Sequence, residues 1–181
     1  FKKIKKMPKK SKIRIGITMG DPNGIGPEVL TRALNYLHPF NNWTPLIFGD
    51  LEIINGINKS LGSSLSYQSI PNNYDLPIEE LDDSFCIHVI DLPIKNNRNW
   101  ELGLCSSWGG ASAFKYIHNA IKWANKKKIN AVVTAPISKE AIFSAGYDFP
   151  GHTEIFSHYS NGVRSVMMLS VDNLRASMVT L

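Results

Sequence analysis

The chain has 181 residues, of which 43% are hydrophobic, and a net charge of +5. That size and apolar content suit one domain, or one and a fraction, built on a packed core, and no apolar run nears the roughly 18 residues needed to cross a bilayer, which argues against a membrane partner. The seven lysines between Lys2 and Lys12 exceed the whole positive excess and leave 13 basic against 15 acidic residues elsewhere, so the charge belongs to a solvated, disordered arm over residues 1–12 and nucleic acid is not an expected partner.

Ile13–Thr18 is β-branched, alternates, and ends at Gly20 and Asp21, as a first strand does. Gly20 to Gly26 forms a turn, and Pro27 suits a first helical position because its missing N–H costs nothing there. A helix follows over 28–37, with Val29, Leu30, Ala33, Leu34 and Leu37 on a 3.6-residue period. Residues 45–50 make a second strand ending in Gly49-Asp50. From Asn55 to Asp83 the pattern is irregular and reads as short elements joined by solvated loops, with acids at Glu79, Glu80, Asp82 and Asp83. Phe85–Ile90 is a third strand, in which Cys86 reads as a small core residue. After Gly109-Gly110 comes the clearest helix, with Ala113, Ile117, Ala120, Ile121 and Ala124 on one face and Lys126, Lys127 and Lys128 near its negative end. Ala131–Thr134 is a fourth strand, apolar until its threonine, as in a strand covered on both faces. Residues 165–171 and 174–181 pair as a hairpin around Asp172-Asn173. The order predicts an α/β fold with a mostly parallel sheet. The pattern changes near Gly146, which divides the chain into a first α/β domain over 13–145 and the beginning of a second over 146–181. The opening at Phe1 and the strand-like end at Leu181 read as the cut ends of a fragment.

Cys86 and Cys105, the only cysteines, form no C-x-x-C pair, which indicates neither zinc nor a disulfide framework and fits a reducing cytoplasm. Three places carry chemistry. The glycines of Gly20-Asp21-Pro22-Asn23-Gly24-Ile25-Gly26 lie between a strand and a helix, where backbone N–H groups can meet an anion. They match neither a P-loop nor a full G-x-G-x-x-G, and a tight turn whose glycines only satisfy backbone geometry is an equal alternative. Lys139 stands at a helix start, where a cation is mildly unfavourable without an anion beside it. His152 and Thr153 follow Pro150-Gly151 and can donate to a phosphate or carboxylate; the alternative is a helix start with Thr153 as N-cap. His38, His88, His118 and His158 read as structural or solvated.

Taken together, three blocks resemble the 4-hydroxythreonine-4-phosphate dehydrogenase (PdxA) family. They are Ile15-Gly16-Ile17-Thr18-Met19-Gly20-Asp21-Pro22-Asn23-Gly24-Ile25-Gly26-Pro27-Glu28, Val133-Thr134-Ala135-Pro136-Ile137-Ser138-Lys139-Glu140-Ala141 and Pro150-Gly151-His152-Thr153-Glu154. The resemblance implies an isocitrate/isopropylmalate dehydrogenase-like fold of two α/β domains, here truncated, and a cytoplasmic homodimer in the full-length form. It implies NAD(P)-dependent oxidation of 4-phosphooxy-L-threonine to a β-keto acid that loses CO2, in vitamin B6 biosynthesis. His152 and Thr153 fall on the family's substrate-binding pair, and Lys139 on a lysine typical of it. The family's divalent metal (Zn, Mg or Co) is held by histidines that would lie beyond Leu181, so this chain is expected to lack the metal ligands and, alone, the activity. Two other readings are a dehydrogenase of threonate or erythronate 4-phosphate and a non-catalytic anion-binding module.

Overall fold

The computed structural model describes residues 13–73, 86–94, 100–161, 163 and 165–178. The lysine-rich arm and the acidic cluster at 79–83 lie outside the described residues. In order, the elements are β1 (Ile13–Thr18), α1 (Gly26–Leu37), β2 (Trp43–Gly49), α2 (Leu51–Ser60), β3 (Tyr67–Ile70), β4 (Ile87–Asp91), α3 (Ser107–Asn125), β5 (Ala131–Thr134), α4 (Lys139–Ser144), α5 (His152–Tyr159) and the strands β6 (Met168–Val171) and β7 (Leu174–Ser177).

The first five strands form one sheet in the order β3-β4-β2-β1-β5. Its strand pairs are all parallel, with Ile17 opposite Ile47 on one side and Val133 on the other. The α/β expectation therefore holds. The step from β1 to β2 and the step from β4 to β5 run in opposite directions across the sheet. Because such crossovers are right-handed, α1 and α3 cover opposite faces.

The irregular stretch after β2 contains a regular helix, α2, which the sequence reading did not resolve. Its first free N–H groups are taken by two aspartates: Asp91 Oδ1 accepts from Leu51 N at 2.9 Å, and Asp50 Oδ1 accepts from Glu52 N and Ile53 N at 3.0 and 3.2 Å. Gly49-Asp50 thus closes a strand and caps a helix at once.

Helix α3 begins at Ser107, earlier than its glycine pair suggests, with the Ser106 hydroxyl accepting from Gly109 N at 3.1 Å. It is buried on two faces rather than one. Tyr116, Ala120 and Trp123 join Leu46, Phe48 and Ile90 in the sheet core, while Ala113, Phe114, Ile117 and Ile121 meet Ile142 and Ile155 in a second cluster. Each fully buried side chain of this size contributes about 1.5–3 kcal/mol, so α3 holds the sheet to α4 and α5.

Two local expectations need correction. Among the described residues β5 is not covered on both faces: Ala131 and Val133, which share one face, are exposed, Val133 to 52%, while Val132 and Thr134 on the other are half-buried. Cys86 precedes β4 rather than lying in it, and it is only half-buried, with its Sγ 3.2 Å from Gln68 Oε1. The hairpin β6–β7 forms as expected, in antiparallel register with Val171 opposite Leu174.

Candidate functional site

The strand order reverses around β1, whose neighbours β2 and β5 lead to helices on opposite faces. In open α/β sheets ligands bind in the crevice beyond the strand ends at such a point. Here the turns that leave β1 and β5 touch. Ala135 N donates to Thr18 O at 3.2 Å, and Asp21 N donates to Pro136 O at 3.0 Å. Gly20 has φ +76°, and a Cβ on it would lie 2.3 Å from Pro136 O. A Cβ on Gly26 would lie 2.4 Å from Met19 O. Backbone packing therefore accounts for both glycines.

The inward groups of this turn are an acid and an amide. Asp21 is buried, and its Oδ1 accepts from Asn23 N at 2.9 Å. Desolvation raises the Asp21 pKa above the ordinary aspartate value, and the bond from Asn23 N offsets that only in part. Asn23 Nδ2 donates to Leu104 O and to Ser106 Oγ, both at 3.1 Å, and Gly103 N donates to Asn23 O at 2.7 Å. Trp100 Nε1 closes the knot on Pro22 O at 3.1 Å. The turn is thus fastened to the segment leading into α3. Close backbone packing requires glycine at positions 20 and 26, whereas a Cβ on Gly24 would meet only ordinary contacts with Asp21.

The turn after β5 is different. Ser138 caps α4, its hydroxyl accepting from Ala141 N at 3.1 Å, and Lys139 stands exposed as the first helical residue. Cys105 Sγ lies 3.5 Å from the same Ser138 Oγ. Helix α5 starts at His152 with Gly151 as its N-cap, so Thr153 sits within the first turn, half-buried, and is not the cap. A Cβ on Gly151 would be 4.0 Å from Lys139 Cε and 3.5 Å from Glu154 Oε2. The fold therefore brings the Lys139 side chain against the turn that presents His152 and Thr153, across twelve residues of sequence.

His152 is half-buried, and its Nε2 is shielded from solvent with no hydrogen-bond partner. Burial lowers its pKa below the usual histidine value, which favours the neutral ring at pH 7. A neutral imidazole still offers one N–H and one acceptor nitrogen to a ligand. Aromatic contacts tie α5 and the segment before it to α3: Tyr159 lies 4.5 Å from His118 between ring centroids, and Tyr147, ahead of α5, stacks on Phe114 at 3.7 Å.

The other histidines are dispersed. His88 is buried in β4, His38 follows α1, and His118 and His158 belong to the aromatic cluster. Among the described residues no group of three or more His, Cys, Asp or Glu side chains could hold a metal ion, so these residues do not fit the divalent-metal site that the resemblance implies for the full-length family. The Asp21–Asn23–Ser106 network escaped the sequence reading. Its only local signal was the turn chemistry of Asp-Pro-Asn-Gly, because its partners lie 81 and 83 residues away.

Residues 41–181 match the family model described as pyridoxal phosphate biosynthetic protein PdxA. The chain is 36% identical over 166 residues to the D-threonate 4-phosphate dehydrogenase of Cupriavidus necator, covering 92% of this chain and 48% of that one. It is 34% identical over 170 residues to the 4-hydroxythreonine-4-phosphate dehydrogenase of Trichlorobacter lovleyi, covering 94% and 50%. The crystal structure of a 4-hydroxythreonine-4-phosphate dehydrogenase from Burkholderia phymatum superposes with a TM-score of 0.81 at 33% identity, over 93% of this chain and 50% of that one. The chain thus spans about half the length of the curated relatives it matches. The matched stretch contains Lys139, His152 and Thr153, and by sequence and by fold the chain belongs to the PdxA family.

Proposed function

We propose that this chain is part of a nicotinamide-dependent dehydrogenase of a 4-phosphorylated four-carbon hydroxy acid, in which Lys139, His152 and Thr153 bind the substrate. The observation that carries this reading is the meeting of the Lys139 side chain with the Gly151–His152 turn, in a chain similar to dehydrogenases of such acids. Lys139 supplies a compact, mobile positive charge. His152, neutral through burial, donates one ring N–H, and Thr153 adds a hydroxyl that can donate or accept. A phosphate or carboxylate is the ligand that uses all three, since it accepts charge-assisted bonds from each. Glu154, whose carboxylate lies on the same turn, repels an anion placed on its own side.

The role of these residues is to hold and orient the acid, so that the C–H bond of its secondary alcohol faces the oxidant. Oxidation removes that hydrogen as hydride and the hydroxyl hydrogen as a proton, and the resulting β-keto acid then loses CO2. The nicotinamide cofactor, NAD or NADP, supplies the hydride acceptor. In the first reading the substrate is 4-phosphooxy-L-threonine and the product, 3-amino-2-oxopropyl phosphate, leads to pyridoxal 5'-phosphate. The similarity to the Cupriavidus necator enzyme favours a second reading, threonate 4-phosphate. The two differ in an amino against a hydroxyl group at C2. We place the full-length protein in the cytoplasm as a homodimer.

The test uses the full-length gene product with either nicotinamide cofactor and both acids, followed by the absorbance of the reduced cofactor. Turnover of either acid at a useful kcat/KM supports the dehydrogenase, and the ratio assigns the substrate. Turnover of neither, with the protein folded and dimeric in sedimentation, would overturn the reading in favour of an anion-binding module.

A further inference from the structure

The turn after β1 and the turn after β5 lie side by side, and one side chain of the first reaches well beyond its own loop. Asn23 is 1% exposed, and a buried amide is costly unless its polar atoms find partners. The turn itself needs only short-range bonds, such as Gly24 N to Asp21 O at 3.0 Å and Asn23 N to Asp21 Oδ1 at 2.9 Å. The Asn23 amide instead donates to Leu104 O and Ser106 Oγ, and its backbone oxygen accepts from Gly103 N. One residue beyond β1 thus holds three residues of the segment that leads into α3.

Those three flank Cys105 on both sides. Leu102 is 61% exposed, and Gly103 and Cys105 are exposed as well. Little apolar burial fixes the path of this segment, and the bonds to Asn23 do so instead. Cys105 Sγ in turn lies 3.5 Å from Ser138 Oγ. That hydroxyl accepts from Ala141 N as the N-cap of α4, which leaves it one hydrogen and one lone pair for the thiol.

Helix α4 has six residues. A helix so short is marginal by itself, so contacts rather than propensity place its start. Backbone bonds from Ala135 N to Thr18 O and from Asp21 N to Pro136 O hold the chain as far as Pro136. The Cys105 contact takes over at Ser138, the residue before Lys139. Lys139 Cε is 4.0 Å from where a Cβ on Gly151 would stand, so a shift at the start of α4 moves the ammonium group relative to the His152 turn.

We infer that Asn23 is a positioning residue for the substrate site: by clamping the segment around Cys105 against Ser138, it sets where Lys139 stands beside the Gly151–His152 turn. The inference rests on the proposed role of Lys139 in binding substrate, and Asn23 acts only through that lysine.

The test is steady-state kinetics of the full-length enzyme, with a nicotinamide cofactor and whichever of 4-phosphooxy-L-threonine and threonate 4-phosphate the parent turns over faster. Asn23→Ala, Lys139→Gln and the double variant form a mutant cycle. Asn23→Ala should raise KM for the acid about five- to tenfold with kcat little changed, and in the Lys139→Gln background the same change should move KM by less than about twofold. Should Asn23→Ala fail to fold, Cys105→Ala, at an exposed position, takes its place in the cycle with the same expected coupling. Cys105→Ser keeps a partner for Ser138 Oγ and should restore the parent KM. Asn23 would be merely structural, and the inference overturned, if its loss raised KM equally with and without Lys139, or if kcat and the cofactor KM worsened in step with the acid KM. A parent-like KM in Cys105→Ala would overturn it as well. These failures leave the dehydrogenase reading standing whenever Lys139→Gln alone raises KM for the acid. If Lys139→Gln leaves that KM unchanged, or the enzyme turns over neither acid, the substrate-binding reading fails and this inference with it.

Discussion

Asp21 is buried and His152 half-buried, and withdrawal from water shifts the charge state of both. The Asp21 pKa is raised by desolvation, so the folded protein holds that proton more tightly than the unfolded chain does. Its contribution to stability is fullest below the unfolded value and falls as pH rises through the folded one. Asp21→Asn keeps an oxygen for Asn23 N and removes the charge, whereas Asp21→Ala leaves that N–H unsatisfied, a loss of about 1–3 kcal/mol. Urea unfolding at pH 7 should therefore rank Asp21→Asn at or above the parent and Asp21→Ala below it; equal losses in both variants would remove the carboxylate from this account. His152 works in the opposite sense. Burial lowers its pKa, so its contribution is present above the ordinary histidine value and is lost as pH falls through the folded one. In the proposed function His152 gives one hydrogen bond to a charged group, about 1.5–3 kcal/mol. Its replacement by alanine in the full-length enzyme should then raise KM by about ten- to a hundredfold, with the fold intact by circular dichroism. Lys139, His152 and Thr153 stood out in the sequence because each follows a proline or glycine break. Asn23 and Ser106 did not, because a side-chain bond across 83 residues leaves no local trace.

Sequence periodicity revealed β1, α1, β5 and the hairpin, and it missed α2. The reason is local. Asn55, Gly56, Asn58 and Gly62 are poor helix residues, and α2 instead draws on Ile53, Ile54 and Ile57 in the core and on two aspartates at its start. One of those, Asp91, comes from β4, 40 residues on. Removal of the cap in Asp50→Ala should cost about 0.5–2 kcal/mol in denaturant unfolding; no change would mean that packing alone defines the helix start. α3 offers a sharper case. Propensity says that Gly110→Ala should stabilise an exposed helix by about 1 kcal/mol. Packing says the reverse, since the new Cβ would stand 1.9 Å from Ala141 O and 2.2 Å from Ala141 C. Neither helix can yield without moving α4, and overpacking of this kind costs about 1–3 kcal/mol. The variant should melt lower than the parent, and because α4 carries Lys139, it should also bind substrate more weakly in the full-length enzyme. A higher melting temperature would show that α3 and α4 do not approach so closely.

At the scale of the whole molecule, the parallel sheet was legible because βαβ units write their alternation into the sequence. What covers each strand was not. An all-apolar β5 reads the same whether one of its faces is covered or open, and here Val133 is half-exposed on one face. The hairpin poses the same problem on a larger scale: Met168, Leu169, Val171 and Leu174 are 53%, 59%, 69% and 72% exposed. Contiguous apolar side chains beside unpaired strand edges are where chains pair with one another. The 181-residue chain should accordingly self-associate, and Leu169→Lys/Leu174→Lys should shift its sedimentation toward the monomer. These positions bury little, so the substitutions should change unfolding free energy by no more than about 0.5 kcal/mol each. Net charge alone could produce the same shift in a chain already at +5, and Ser170→Lys, exposed on the same strand, separates the two causes. If that control disperses the assemblies as well as the double variant does, repulsion is responsible and the hairpin is not the contact. If only the double variant does, the apolar side chains of β6 and β7 are the surface through which copies of this chain meet.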